Sequence, residues 1–262
     1  MLKIDNISKT FQIGTINEKK ALANISLTIN DADFITVIGS NGAGKSTLLN
    51  AIAGVFDVDN GKIFIDDIDI TKMSEHKRAN YIGRVFQDPM IGTCADMWIE
   101  ENLALANRRG KHRGLKQGIT SEERNNFFEI LKSFDLGLEN RLSTKVGLLS
   151  GGQRQALTLL MATIQKPNIL LLDEHTAALD PATASKVLEL TNKIVSENKL
   201  TTFMVTHNMK DALKYGNRLI MMDNGRIILD VSGKEKEKLT VSDLLKKFEK
   251  VSGVVNDKMI LG

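Results

Sequence analysis

The sequence predicts an α/β protein with a mainly parallel sheet at its core, an antiparallel β subdomain and an inserted α-helical subdomain. Three stretches, at residues 34–38, 169–172 and 202–206, are almost continuously apolar, which is typical of strands buried on both faces of a parallel sheet. Residues 25–29 instead alternate between apolar and polar side chains, as expected for an antiparallel strand with one face in water. Residues 89–166 are mostly helical in character and separate the first apolar stretch from the other two.

The N-terminal part supplies the antiparallel strands and begins the parallel sheet. Its first stretch alternates imperfectly, and a later pair of short apolar runs reads as a hairpin. The predicted elements are strands at 2–11 and 25–29, the buried strand at 34–38, a helix at 46–53, and a hairpin formed by 62–66 and 68–70.

A glycine-rich loop lies between the buried strand 34–38 and the predicted helix. It fits the pattern GxxxxGK(S/T), in which backbone N–H groups surround phosphates, the lysine reaches the β and γ phosphates, and the hydroxyl ligates magnesium. The strand before the loop and the helix after it are the context that this pattern requires. We therefore predict a nucleotide-binding loop made of Gly39, Ser40, Asn41, Gly42, Ala43, Gly44, Lys45, Ser46 and Thr47.

Polar residues stand at the ends of the two later buried strands. Asp173 and Glu174 follow the strand at 169–172, and His207 follows the strand at 202–206. Ligand chemistry in such sheets occurs at the carboxyl ends of the strands. The C-terminal part is completed by a hairpin that joins 219–222 to 227–229 and by a peripheral helix at 241–250.

These polar residues fit the requirements of phosphoryl chemistry. We expect Asp173 to hold the metal together with Ser46, because magnesium must be positioned while charge spreads over the transferring group. Glu174 is suited to orient or deprotonate an attacking water, although it could instead be an acid that stabilises a helix N-terminus. His207 is predicted to be functional from its place at a strand tip; the alternative is a buried histidine satisfied by backbone groups.

Two further candidates have weaker local signals. Gln87 follows Arg84-Val85-Phe86 where a strand ends, so its amide could reach magnesium or the attacking water without adding charge. Phe11 could stack on an adenine ring or could simply fill the β subdomain, since aromatic side chains pack well in both settings.

The segment 149–155, LSGGQRQ, predicts a second phosphate site. Ser150 is a good N-cap for the helix that follows, and Gly151 and Gly152 allow an anion to approach the free N–H groups at the helix start. A nucleotide already held by Lys45 does not obviously need this second site within the same chain.

Composition narrows the class of protein. The 262 residues contain 35 Lys and Arg against 32 Asp and Glu, and the net charge of +3 is too mild to indicate a nucleic-acid partner. A hydrophobic content of 42% is sufficient for a well-buried core. The single cysteine suits a reducing compartment, and no apolar run has the length of a membrane span. We expect a soluble, cytoplasmic protein.

Taken together, the motifs resemble those of the ATP-binding cassette (ABC) ATPases, and the resemblance covers nearly the whole chain. The LSGGQ pattern is far more specific than a phosphate loop alone. In the terms of that family, 39–47 resembles the Walker A motif, Gln87 the Q-loop, 149–155 the signature, 169–174 the Walker B motif with its catalytic glutamate, 178–180 the D-loop and His207 the switch histidine. His175 departs from the family, because many relatives have proline there.

The resemblance implies the RecA-like P-loop fold and a head-to-tail dimer with a second, identical cassette, in which ATP and Mg²⁺ lie between the two copies. Ser150, Gly151, Gly152 and Gln153 of one copy would cap the γ-phosphate that Lys45 and His207 of the other copy hold. It also favours Phe11 as the aromatic that stacks on adenine. Glu174, His207 and Gln87 would then act in hydrolysis.

The function that this resemblance implies is ATP hydrolysis that powers a membrane transporter. A closer likeness, in 86–93 and 171–181, is to ATPase subunits of bacterial importers assigned to tryptophan or tyrosine, which work with a lipoprotein binding subunit. Partners would be transmembrane permease subunits, with the lipoprotein reached indirectly, and the place of action the cytoplasmic face of the membrane. The alternatives are the ATPase of an exporter and a soluble ABC protein outside transport.

Two surfaces and a division of the chain complete the expectations. Apolar residues within 90–103 could receive the permease, or could simply form the core of the helical subdomain; the basic stretch 108–116 could face lipid headgroups or be a solvated loop. We predict an ABC ATPase domain at 1–240, with its core and β subdomain in 1–88 and 167–240 and its helical subdomain in 89–166. A peripheral helix and tail would follow at 241–262.

Overall fold

The computed structural model describes residues 1–111, 114 and 118–252, which form two sheets, nine α-helices, two short 3₁₀ helices and several turns. The strands are β1 (Leu2–Phe11), β2 (Lys19–Ile29), β3 (Phe34–Gly39), β4 (Asn60–Ile65), β5 (Ile68–Asp69), β6 (Ile82–Val85), β7 (Ile169–Asp173), β8 (Thr201–Val205), β9 (Arg218–Asp223) and β10 (Arg226–Ser232). The helices are α1 (Lys45–Ala53), α2 (Glu75–Arg78), α3 (Ile99–Asn107), α4 (Ser121–Lys132), α5 (Gly151–Thr163), α6 (Pro181–Asn198), α7 (Met209–Lys214), α8 (Gly233–Glu237) and α9 (Val241–Ser252).

The larger sheet has the strand order β10-β9-β3-β8-β7-β6 and is parallel except for the β9–β10 hairpin. Its central strands β3 and β8 are buried along their whole length, as their continuous apolar runs predicted. Asp173 pairs with Val205, so β7 and β8 end at the same edge of the sheet. This edge gathers the polar residues that follow the strands.

The smaller sheet is antiparallel, in the order β2-β1-β4-β5. Alternation along β2 buries Ile25, Leu27 and Ile29 and exposes Ser26 and Thr28. The buried face packs on α1, whose other side faces β3 and β7 of the parallel sheet. The phosphate-loop helix is therefore held between two sheets.

The helical subdomain has its own core around Ile99, Leu103, Phe127, Leu131 and Leu157, each completely buried. It is less helical than expected, because its first helix begins only at Ile99. The segment before it consists of turns and loops, consistent with the early Pro89 and with Gly92. The predicted basic stretch 108–116 falls partly on residues outside the described part of the chain.

The C-terminal helix α9 extends the predicted helix at 241–250 by two residues. Its Leu244 and Phe248 are buried against Leu219 and Met221 of β9, so the helix covers one side of the parallel sheet. Residues 253–262 lie outside the described residues. Within the described part, no helix has both the length and the apolarity to cross a bilayer.

Candidate active site

The phosphate loop turns sharply between β3 and α1 and depends on glycine to do so. Gly42 and Gly44 have φ of +81° and +101°, a region in which residues with a Cβ are strained. A Cβ on Gly44 would also lie 2.6 Å from the backbone oxygen of Ala21. The loop backbone can therefore take this path only with glycine at position 44.

Lys45 lies inside the loop and is nearly fully buried. Its ammonium donates to the backbone oxygens of Gly39 at 2.8 Å and Ser40 at 3.1 Å. Burial lowers the pKa of Lys45, while the charges of Glu174 and Asp173 oppose that shift. The hydrogen-bond partners of Lys45 are thus neutral carbonyls, and its positive charge can still attract an anion in the loop.

A cavity of about 250 Å³ opens above this loop and brings several of the predicted residues together. Its walls are Phe11, Lys19, Ala21, Asn41, Gly42, Gly44, Lys45, Ser46, Thr47 and Glu174. Lys19 was not predicted from the sequence; a Cβ on Gly42 would lie 2.9 Å from its Nζ, so it adds a second cation at the loop. The sequence shows a basic pair there, Lys19-Lys20, but nothing in it linked this pair to the loop.

Phe11 packs within the β subdomain and also lines the cavity. The ring packs edge-to-face on Phe56, with centroids 5.2 Å apart and planes at 85°. It remains 36% exposed and lines the cavity. One side of the ring is therefore fixed by packing while another is available to a flat ligand.

Asp173 stands at the end of β7 beside the phosphate loop. Its Oδ1 accepts from the Ser46 hydroxyl at 3.2 Å, and Arg84 lies 3.9 Å from its Oδ2. Burial raises the pKa of Asp173, opposed first by the charge of Arg84.

The donor set fits magnesium. A hydroxyl and a carboxylate are hard oxygen ligands, and Mg²⁺ in nucleotide sites takes one or two carboxylates together with phosphate and water. The described residues include no group of three His, Cys, Asp or Glu side chains able to hold a metal.

Glu174 and His207 meet at the edge where β7 and β8 end. His207 Nδ1 lies 3.5 Å from Glu174 Oε2. This hydrogen bond lowers the pKa of Glu174 and raises that of His207. Glu174 has a φ of +45°, and its N–H donates to the backbone oxygen of Val205 at 3.1 Å. The alternative reading of Glu174 as an acid at a helix N-terminus is wrong, because α6 begins seven residues later at Pro181.

His175, the departure from the family pattern, is buried. Burial lowers its pKa to about 4, so the ring is neutral near pH 7. Its Nε2 lies 3.1 Å from the Thr191 hydroxyl on α6.

Gln87 is exposed, two residues beyond the end of β6. Val85 pairs with Leu172, so the chain reaches Gln87 at the same sheet edge as Asp173 and Glu174.

The predicted second phosphate site is separate from this cavity within one chain. Ser150 caps α5: its hydroxyl accepts from the N–H of Gln153 at 3.3 Å, and its own N–H donates to the Gln153 side chain at 3.3 Å. A Cβ on Gly152 would lie 2.2 Å from the Thr183 methyl group on α6. These residues line a different cavity, between α6 and the residues that follow α4. Ser150 and Gly151 are exposed.

The comparisons with known proteins agree with this arrangement. A model of the ABC transporter family matches residues 22–177. The chain belongs to the ABC transporter ATPase family. It is 50% identical over 249 residues to the tyrosine transport ATP-binding protein of Clostridioides difficile (strain R20291), which covers 95% of this chain and 99% of that protein. It is 29% identical to the phosphonates import ATP-binding protein PhnC of Lactococcus lactis subsp. cremoris (strain SK11), over 94% of this chain and 99% of that protein.

A solved dimeric ATP-binding cassette in a post-hydrolysis state, bound to ADP and Pi, has the same fold as this ABC ATPase. The TM-score is 0.75 at 32% identity, over 88% of this chain and 98% of that one. The predicted fold class is confirmed, and so is the identification with ABC ATPases of importers. The chain is an ATP-binding and ATP-hydrolysing subunit of an ABC transporter of the importer type, and ATPases of this family dimerise and pair with transmembrane permease components.

Proposed function

We propose that this ATPase drives uptake of an aromatic amino acid, with tyrosine as the first candidate. The relative at 50% identity is named for tyrosine transport, and the likeness extends over nearly the full length of both chains. The site geometry supports the ATPase half of this function and is independent of the cargo. The observation that carries it is the single cavity in which Phe11, the phosphate loop and Glu174 face one another.

The roles of the site residues follow from their chemistry. Phe11 would stack on the base, while the N–H groups of the loop and Lys45 would hold the phosphates. Ser46 and Asp173, with the amide of Gln87, would hold Mg²⁺, which would neutralise charge on the transferring phosphate when bound.

Hydrolysis needs a base that is ionised near neutral pH and faces the loop. Glu174 meets this condition, since its hydrogen bond with His207 keeps the pKa of the carboxyl low. We assign it the activation of the attacking water, with His207 held beside it to contact the γ-phosphate. Ser150, Gly151, Gly152 and Gln153 of a second copy would complete the site.

The proposed surface for the permease lies on the segment between Gln87 and α3. Met90, Ile91 and Trp98 are 40%, 66% and 44% exposed, whereas Ile99 and Leu103 are completely buried. The apolar residues of this region therefore divide between a surface and the subdomain core. We propose that the exposed group receives the permease at the cytoplasmic face of the membrane, and that a binding lipoprotein acts through that permease.

We also retain the proposed division of the chain into an ABC ATPase domain at 1–240 and a peripheral helix and tail at 241–262. Within the first, the core and β subdomain occupy 1–88 and 167–240, and the helical subdomain occupies 89–166. The separate apolar core of α3, α4 and α5 supports this division.

The decisive experiment on the site is Glu174→Gln, with Glu129→Gln on the exposed side of α4 as the matched control. We expect unchanged ATP affinity, an ATP-bound dimer in size-exclusion chromatography, and hydrolysis reduced by about 10²-fold or more, the usual contribution of a general base. Hydrolysis at the parental rate would show that Glu174 is not the base. A ligand screen on the binding protein that co-purifies with the permease tests the cargo separately.

A further inference from the structure

The connection between β7 and α6, residues 174–180, holds one buried side chain, that of His175. The connection begins at Glu174, whose φ of +45° is unusual for a residue with a Cβ. Such a conformation persists only when surrounding contacts enforce it. The backbone N–H groups of Glu174, Ala177 and Leu179 donate to the oxygens of Val205, Glu174 and Thr176, at 3.1, 2.9 and 3.1 Å. His175 supplies the buried side-chain contact, and the exposed Asp180 carboxylate accepts from the N–H of Thr183 on α6 at 3.1 Å.

The direction of the His175 hydrogen bond follows from its partner. The Thr191 hydroxyl donates to the backbone oxygen of Val187 at 2.7 Å. A hydroxyl has one hydrogen, so toward His175 Nε2, at 3.1 Å, Thr191 is the acceptor. The ring is therefore the tautomer with its proton on Nε2, and it donates across to the third turn of α6. Thr191 is itself 1% exposed, so water does not compete for this contact.

We propose that His175 is a positioning residue for hydrolysis: its Nε2–H, bonded to Thr191, ties the backbone that carries Glu174 to α6 and so holds the carboxylate in its reactive place. This role rests on the proposed function of Glu174 as the base. An error of about 1 Å in the placement of a reacting group can cost about 10²-fold in rate, so a tether of this kind affects turnover rather than nucleotide binding.

The connection 174–180 also contacts the signature segment 149–155. Leu179, near the end of the connection, packs close to Gly151 at the start of α5; a Cβ on Gly151 would lie 3.2 Å from its Cδ2. Fixing His175 to α6 therefore also limits how far Leu179 can move against the signature helix.

The test compares His175→Leu, which removes the donor, with His175→Gln, whose amide nitrogen can replace Nε2. Thr191→Val removes the acceptor, and Thr191→Ser keeps it. Thr163→Val is the matched control, since this buried threonine on α5 also bonds a backbone oxygen, Leu159, at 2.8 Å. For each variant, kcat, KM for ATP and thermal stability are measured, with Glu174→Gln alongside.

We expect His175→Leu and Thr191→Val each to lower kcat by about 10-fold or more at nearly unchanged KM, with no further loss in the double variant, because both remove the same hydrogen bond. His175→Gln and Thr191→Ser should recover most of the rate, and Thr163→Val should keep it. If His175→Leu turns over at the parental rate while Glu174→Gln does not, the tether is refuted and the role of Glu174 stands. If Glu174→Gln hydrolyses ATP at the parental rate, both the tether and the assignment of Glu174 as the base are wrong. If Thr163→Val and Thr191→Val lose equal fractions of kcat, the loss comes from reduced stability of the protein, and the tether is also refuted.

Discussion

Arg78 should be a main determinant of stability, although it lies outside the active site. The guanidinium is 1% exposed and fills the space at the end of α1. It donates four hydrogen bonds of 2.7 to 2.9 Å, all to backbone oxygens, two of them at the last turn of α1. The acceptors are the oxygens of Ala51, Ile52, Thr71 and Met73. A cation at a helix C-terminus also interacts favourably with the helix dipole.

The expected loss for Arg78→Met can be worked from these contacts. Each hydrogen bond to a charged donor contributes about 1.5–3 kcal/mol net, but the removal of the charge also relieves its desolvation, so the four do not add. Each buried carbonyl left without a donor costs about 1–3 kcal/mol, and part of that sum is offset by the relieved desolvation, so we expect a net loss of about 3–4 kcal/mol. For a chain of this size about 1 kcal/mol shifts the melting temperature by 2–4 °C, so we expect a fall of about 10 °C.

Thermal and urea unfolding of Arg78→Met, Arg78→Lys and the control Arg226→Met test this reasoning. Arg226 is exposed, and its substitution should change stability by less than about 0.5 kcal/mol. Arg78→Lys should fall between parent and Arg78→Met, because a lysine keeps the charge but cannot reach all four acceptors. A loss below about 1 kcal/mol in Arg78→Met would show that water or backbone shifts satisfy the freed carbonyls, and the argument from unpaired buried acceptors would fail.

Three other outcomes are expected. Gly44→Ala should abolish ATP binding in equilibrium titration, because its Cβ would clash with the Ala21 oxygen at 2.6 Å; retained affinity would contradict the loop geometry. Ser150→Arg should leave ATP affinity of the monomer unchanged but prevent the ATP-dependent dimer in size-exclusion chromatography; lost monomer binding would mean that the signature acts within one chain. Burial lowers the pKa of Lys236 from its ordinary value of 10.5 to about 8. Between about pH 8 and pH 10.5 the unfolded chain therefore binds more protons at this lysine than the folded chain does. The free energy of unfolding should increase with pH over that range. Denaturation curves of Lys236→Met should lack that increase, whereas those of Lys234→Met, exposed on the same helix, should keep it.

The parts of the fold that sequence patterns predicted are those encoded locally. The continuous apolar runs of β3, β7 and β8 identify strands buried on both faces, and the structure places them at the centre of the sheet. Boundaries were less accurate. The strand predicted at 25–29 begins at Lys19, since the edge position of β2 allows exposed lysines that carry no periodic signal.

The sequence predicted those parts of the site in which polar, chemically suited residues directly follow a buried strand. The phosphate loop, Asp173, Glu174 and His207 follow buried strands, and parallel pairing alone brings them to one edge. Lys19 and Arg84 had no comparable signal. Each acts on a residue far away in sequence, Lys19 at the loop and Arg84 beside Asp173, and such pairings are decided by tertiary packing rather than by local spacing.

The connection 174–180 links two sites that the sequence presents as independent. It starts at the proposed base, Glu174, and its Leu179 lies against Gly151 at the start of α5. The exposed N–H end of this helix is the part that a second copy would meet, while Gly152 is fixed against Thr183 of α6. A displacement of the start of α5 would therefore act on residues 174–180, the segment in which Glu174 has its unusual backbone conformation. If a second copy binds at this end of α5, we expect its binding and the alignment of the proposed base, Glu174, to be coupled through residues 174–180.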